Sequence, residues 1–352
     1  MTLEQVLERI PPLDAEAMAQ AKQHWDALAK PLHGLGDLED ILIRIAGICR
    51  TPRIDLRNKA VVVMCADNGV VAEGISQSGQ DVTQIITENL GKGTSTVCHM
   101  ARAAGADVIP VDIGVASDIH GSGVVHRKIA RGTHNFAKQP AMSRDQAVQA
   151  IGVGIETALL CKQHGYDVVA TGEMGIGNTT STAAVTAALL HAPVELVTGR
   201  GSGLTSEGLR RKIQVVTRAL EQWQPNQYDP IDILSKVGGY DLCGLTGLFL
   251  GGALCGLPMI IDGVISSAAA LCAVRLCPTV RGYLIASHHT AEPAGVLLEQ
   301  ALDVKPMIDA HMALGEGTGA VLLFGMLDAA ASLYTNGNTF DDSNIEAYQP
   351  LS

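Results

Sequence analysis

Two carboxylates in this 352-residue chain stand between glycines, where a tight backbone can bring them against a bound group. The first lies in Thr171-Gly-Glu173-Met-Gly175-Ile-Gly177-Asn178-Thr179-Thr180. Glycines let backbone N–H groups approach a ligand closely. Asn178 or Thr179 is a candidate helix cap, and a helix start with free N–H groups attracts an anion. Glu173 then either meets that ligand or closes a turn. The spacing is not a dinucleotide fingerprint, because GxGxxG would need glycine at Thr180. The second carboxylate is Glu316, in Leu314-Gly315-Glu316-Gly317-Thr318-Gly319. It is either a dipole-stabilising residue at a helix start or a base held in a dry pocket. A third glycine-rich stretch, Thr198-Gly199-Arg200-Gly201-Ser202-Gly203, precedes a helical run carrying Arg210, Arg211 and Lys212. Backbone N–H groups with one lysine make a phosphate cradle; a plain turn before a solvated basic face reads equally well. Asp67 and Asp262 end apolar runs, where each could bind a ribose hydroxyl or cap a loop. His288-His289 is a poor metal pair, since neighbours in a strand point to opposite faces. No Walker A pattern and no GxSxG elbow occurs.

These residues need strands and helices to hold them. Residues 59–67, KAVVVMCAD, form a short apolar run rich in β-branched residues, as in strands buried on both faces. The unit of apolar run, polar or glycine-rich loop and helical stretch recurs at 106–114, 167–178, 194–203, 257–263 and 282–289. Such alternation predicts an α/β domain with a parallel sheet flanked by helices. Ligands then collect at the carboxyl ends of the strands. Residues 1–46 and 317–335 show helical spacing of apolar residues, and the polar, acidic tail after Asn336 is expected to be loose.

Composition narrows the function. Apolar residues make up 47% and charged residues 17%, well below the roughly 25% of an average soluble domain, so much of the chain is buried. Disorder is excluded. The net charge of -11, with scattered basic residues, argues against nucleic acid as a partner. The eight cysteines form no CxxC pair and read as buried thiols in a reducing cytoplasm, not as disulfides or metal ligands. Residues 242–261 carry no charge, but aspartates flank them and Pro258 interrupts them. A buried helix followed by a buried strand is expected there, not a membrane span. The acidic, amphipathic start is not a secretory signal.

In order and spacing, seven stretches resemble the CobT family of nicotinate-nucleotide:dimethylbenzimidazole phosphoribosyltransferases. They are CADNGVVAEG (65–74), TGEMGIGNTT (171–180), TGRGSG (198–203), SKVGGYD (235–241), LPMIIDG (257–263), SHHTAEP (287–293) and LGEGTGA (314–320). The resemblance implies a Rossmann-like parallel sheet with a small helical domain formed from both termini. Residues 1–50 would supply its N-terminal part, 51–325 the large α/β catalytic domain, and 326–352 a C-terminal helix and tail joining the small domain. It implies transfer of 5-phosphoribose from nicotinate mononucleotide to 5,6-dimethylbenzimidazole, with inversion at C1′ and no cofactor or metal, in a cytoplasmic homodimer. Glu316 would be the general base. Glu173, Ser78, Ile86 and Leu314 would surround the acceptor base. Gly175, Gly201, Gly203, Lys212, Asp262 and Ser287 would bind the phosphate and the nucleotide.

The chain departs from the family pattern at Leu32-His33-Gly34 and Asp37 in KPLHGLGDLE, at Asn68, at Gly79, where proline is common, and at Ile86, where a polar amide can stand. These changes lie on the acceptor side of the resemblance. They raise two alternatives: phenol or p-cresol as acceptor in one subunit of a heterodimer, or a non-catalytic partner of an active paralogue.

Overall fold

A computed structural model describes residues 1–348. Six parallel strands form the main sheet: β1 (Lys59–Ala66), β2 (Ala106–Gly114), β3 (Val125–His126), β4 (Val168–Met174), β5 (Met259–Ile261) and β6 (Leu284–Ala286). Their order is β3-β2-β1-β4-β5-β6, with every pairing parallel. The order reverses between β1 and β4, and in open parallel sheets the crevice outside such a reversal is where ligands bind. β1 is buried along its whole length. Ala60, Val62 and Met64 enter one apolar cluster, while Val61, Val63 and Cys65 enter the other. That period of two is why the sequence shows an unbroken apolar run with no alternation.

The uncharged stretch at 242–261 is the buried Tyr240–Cys255 helix followed by β5, as its composition predicts. Its glycines allow close helix contact. A Cβ on Gly247 would stand 1.9 Å from the Ile151 carbonyl oxygen, and one on Gly154 1.9 Å from that of Gly244. The Thr318–Asn336 helix is long and apolar enough to cross a membrane by length and composition, but half of its apolar window is buried in the protein.

Two expectations fail. Residues 194–197 form a single helical turn, not a strand. Val194 and Val197 are buried while Leu196 is exposed, so the run follows helical spacing. The segment after Asn336 is anchored through residue 345. Leu28 and Thr339 form an antiparallel bridge, Phe340 is buried, and Thr339 and Asp342 cap the Phe340–Ser343 turn. One aromatic anchor outweighs the polar composition. Residues 349–352 of the tail lie outside the described residues.

Both termini meet on one face of the sheet. Trp25 packs edge-on against Tyr334 at 5.1 Å between ring centroids, and His24 Nε2 lies 2.6 Å from the Tyr334 carbonyl oxygen. A two-stranded parallel ribbon, β7 (His288–Thr290) with β8 (Ile308–Met312), carries the chain from β6 towards the Glu316 loop.

Candidate active site

A cavity of about 200 Å³ opens over the carboxyl ends of β4 and β5. Three helices begin at its wall: Asn178–Leu190, Val264–Leu276 and Thr318–Asn336. Each starts after a glycine, Gly177, Gly263 or Gly317, which has no side chain to cap its own helix. The dipoles of the three helices, and the free first-turn N–H groups of the first two, favour an anion in the space between them. Asn178, a candidate cap from sequence, is instead the first helical residue, and its side-chain amide donates to Glu173 Oε2.

On the side of Thr179 and Gly201 the wall is cationic from behind. Lys212 is buried, and its ammonium donates to Thr179 Oγ1 at 2.8 Å. Burial pushes Lys212 down to about 8, and the nearby Glu292 pulls the other way. A Cβ on Gly201 would approach Thr179 Oγ1 at 2.9 Å, so this turn needs glycine for closeness as well as for its φ of +53°. Gln77 ties the neighbouring loop down by donating its amide to the Gly203 carbonyl.

On the other side stands Glu316. Its φ of +60° is left-handed for a residue with a side chain, a conformation that costs of order 1–3 kcal/mol and persists only where the surroundings impose it. Here they do. A Cβ on Gly172 of β4 would lie 2.4 Å from the Glu316 carbonyl oxygen. Asp262, at the end of β5, accepts from the Gly317 N–H at 3.2 Å through Oδ2 and from the Ala320 N–H at 3.0 Å through Oδ1. Burial pushes the Asp262 carboxyl up, and His288 opposes it. Asp262 thus pins the loop that carries Glu316 while it also lines the cavity. The Glu316 carboxylate does not serve its own helix. Oε2 accepts from the Val97 N–H at 3.2 Å, in the first turn of the Thr96–Ala103 helix. Oε1 has no protein partner among the described residues.

Glu173 closes the floor. It is buried, with Oε1 beside Gly315, whose Cβ would come within 2.8 Å of it. Burial pushes Glu173 up to about 8; Asp241 and Asp262 act in the same direction, the Asn178 amide opposes, and Glu316 adds to the rise. Ile75, Met174, Ile176, Val264, Ile265 and Leu314 give the cavity an apolar share suited to a flat ring.

The cavity thus brings together Glu316, Glu173, Leu314, Gly175, Gly201 and Asp262. Gly203 and Lys212 stand just behind its wall. Ser287 is fully buried, with its hydroxyl 2.9 Å from His288 Nδ1, and the neighbouring His288 reaches the cavity instead. Ser78 sits in the turn next to Ser76, which does line the cavity, and Ile86 packs into the apolar cluster on one sheet face. His289 points away and lies 2.9 Å from Glu299. Among the described residues no group of three His, Cys, Asp or Glu could hold a metal. None of the departures at 32–37, 68, 79 and 86 lines the cavity of this chain. Sequence reasoning weighed His288 only as half of a metal pair and Asn68 only as a departure from the family pattern, and it missed Asp241, whose contacts join remote segments.

A family profile described as phosphoribosyltransferase matches residues 10–345. The chain is 45% identical over 351 residues to the nicotinate-nucleotide–dimethylbenzimidazole phosphoribosyltransferase of Clostridium acetobutylicum, covering all of both chains. This chain belongs to that family. The same name is borne by a protein of Acetivibrio thermocellus, 46% identical over 346 residues, 98% of this chain and 99% of its own. The crystal structure of CobT from Thermus thermophilus matches with a TM-score of 0.90 and 40% identity, over 95% of this chain and 100% of that one. Membership makes the chain a phosphoribosyltransferase with an α/β fold, as the motifs of the first subsection imply.

Proposed function

We propose that this chain transfers 5-phosphoribose from nicotinate mononucleotide to 5,6-dimethylbenzimidazole, giving an α-riboside 5′-phosphate and nicotinate. The observation that carries the reading is the opposition across one cavity of an anion cradle and the Glu316 carboxylate. The cradle, formed by the Gly177–Thr179 helix start, Gly201 and Lys212, takes the 5′-phosphate. Phosphate binding energy then positions the sugar, remote from the bond that reacts.

The leaving nicotinate is a pyridinium in the substrate. When its bond to C1′ breaks, the electron pair returns to the ring nitrogen, so no acid has to protonate the leaving group. A benzimidazole nitrogen attacks C1′ from the opposite face, which inverts β to α. The other ring nitrogen sheds its proton, and Glu316 Oε1 accepts it. The apolar residues beside Glu316 receive the benzimidazole ring. Support for this acceptor comes from the names of the relatives and from a cavity that the departures at 79 and 86 do not touch.

Purified protein incubated with nicotinate mononucleotide and equal dimethylbenzimidazole and phenol, with products separated by mass, tests the reading. The riboside of dimethylbenzimidazole is expected to predominate. Predominant phenyl riboside would replace the acceptor, and nicotinate release only on adding a paralogue would replace the catalytic reading. We also propose a cytoplasmic homodimer. Leu322 and Leu333 stand exposed on the Thr318–Asn336 helix as an apolar face for a second copy, and a monomeric mass in sedimentation would contradict it.

A further inference from the structure

One wall of the cavity carries a histidine to which the reaction proposed above gives no part. His288, Thr290 and Glu292 line that wall, while His289 turns away to Glu299; alternate residues of an extended chain share a face. The row runs from the Glu316 loop to the anion cradle. At its first end the edge of the His288 ring lies on Gly319, where a Cβ would stand 2.0 Å from Nδ1 and 2.2 Å from Cε1. At its last end Glu292 reaches Gly199, in the turn that holds Gly201, and acts on the nearby Lys212. When a mononucleotide has its phosphate in the cradle and its C1′ beside Glu316, the ribose is the part that lies along this row.

The ring is held in place before anything binds. The Ser287 N–H donates to the Ile261 carbonyl at 3.2 Å, and the Ser287 carbonyl accepts from the Met307 and Ile308 N–H groups at 3.0 Å each. Ser287 Oγ lies 2.9 Å from His288 Nδ1 and 3.4 Å from the Asp262 carbonyl oxygen. A hydroxyl that donates to this carbonyl leaves its oxygen for Nδ1–H, and Nε2 then carries a lone pair. Nε2 has no protein partner among the described residues. It faces Gly263, at the start of the Val264–Leu276 helix on the cavity wall, where a Cβ would stand 3.9 Å from Nε2 and 3.9 Å from Thr290 Oγ1. A polar atom already fixed in this way costs little to order when it binds.

We propose that His288 Nε2 hydrogen-bonds a ribose hydroxyl of the mononucleotide, making His288 the residue that sets the sugar specificity of the transfer. The inference rests on the function proposed above. A hydroxyl both donates and accepts, so it pairs with Nε2 in either tautomer of the ring. The surroundings disfavour the other polar end of the substrate, the nicotinate carboxylate. The Asp262 and Glu316 carboxylates open into the same part of the cavity, and like charges side by side are costly. A neutral hydroxyl meets no such repulsion. The contact would place the sugar between the cradle and Glu316 without touching the bond that breaks, as positioning by a non-reacting part of the substrate requires.

Calorimetric titration of wild type, His288→Asn and His288→Gln with nicotinate mononucleotide and with its 2′-deoxy and 3′-deoxy forms tests the proposal. Asparagine keeps a polar atom near the place of Nδ1 and loses the one at Nε2; glutamine reaches the place of Nε2. His288→Asn is expected to bind the ribonucleotide about 3- to 10-fold more weakly than wild type, and to match wild type within about twofold on the deoxy form that lacks the bonded hydroxyl. That form also tells which hydroxyl is bonded. His288→Gln is expected to recover part of the loss. An equal loss on all three ligands, as a merely structural role would give, or unchanged binding of the ribonucleotide overturns the proposal. The wild-type titrations stand even where a variant fails to fold: both deoxy forms binding as tightly as the ribonucleotide would overturn it as well. Wild-type protein that binds the mononucleotide but turns nothing over with dimethylbenzimidazole would sink the proposed reaction, while the titrations would still decide the role of His288.

Discussion

Lys212→Met should stabilise the fold while damaging the enzyme. Lys212 is 1% exposed, and its ammonium donates to Thr179 Oγ1 at 2.8 Å. Its pKa falls from 10.5 to about 8 on folding, chiefly through burial. At about 1.4 kcal/mol per pKa unit, keeping that charge costs the fold about 3 kcal/mol at neutral pH. Methionine fills much of the same volume without the charge. Losing the bond to Thr179 returns about 1 kcal/mol of the gain, leaving a net stabilisation of about 2 kcal/mol. The sign has a pH signature. The folded-state pKa lies below the unfolded one, so the penalty is full below pH 8 and disappears as pH rises towards 10.5. Denaturant melts of both proteins at pH 7 and pH 10 should show the gap narrowing. In the same variant the charge proposed to attract the phosphate is gone. Charged hydrogen bonds are worth about 1.5–3 kcal/mol, so kcat/KM for nicotinate mononucleotide should fall by about 10- to 150-fold, partly in kcat because phosphate binding positions the sugar. A less stable variant with unchanged affinity for the mononucleotide would refute the reasoning and make Lys212 a structural residue.

Two further substitutions probe the loop that carries the carboxylate. Asp262→Ala leaves the Gly317 and Ala320 N–H groups without their acceptor; a loss of about 1–3 kcal/mol in a thermal melt is expected, with a fall in kcat larger than any rise in KM. Gly319→Ala would put a Cβ 2.0 Å from His288 Nδ1. The ring must leave the cavity wall, at about 1–3 kcal/mol of overpacking; wild-type melting and kinetics in this variant would show that the wall yields freely.

The glycine-bracketed acids were legible because they are local: Glu173 lies at the end of β4 and Glu316 just before a helix, in loops that a short window of sequence describes. The parallel sheet was legible because strands buried on both faces leave unbroken apolar runs, as β1 does. Residues 194–197 misled because four residues hold too little periodicity to separate a strand from a helical turn. The capping role of Asp262 could not be read from sequence, because its partners Gly317 and Ala320 lie more than fifty residues away. Ser287 lies between β6 and β7 and His288 opens β7; neighbours in an extended chain point to opposite sides, so a step of one residue exchanges a buried position for one on the cavity wall. The approach of Asn68 and Asp241 to Gly175 could not be read at all from spacing, since three distant segments build it.

The central claim is that Glu316 accepts the proton of the attacking base while other groups hold the nucleotide. Glu316→Gln keeps the size of the side chain and an oxygen for the Val97 N–H. Calorimetric titration of this variant with nicotinate mononucleotide, alongside turnover with dimethylbenzimidazole, tests the claim most directly. Binding within about threefold of wild type, with kcat lower by about 10²–10⁴, is the expected result; wild-type turnover, or loss of mononucleotide binding together with activity, would contradict it.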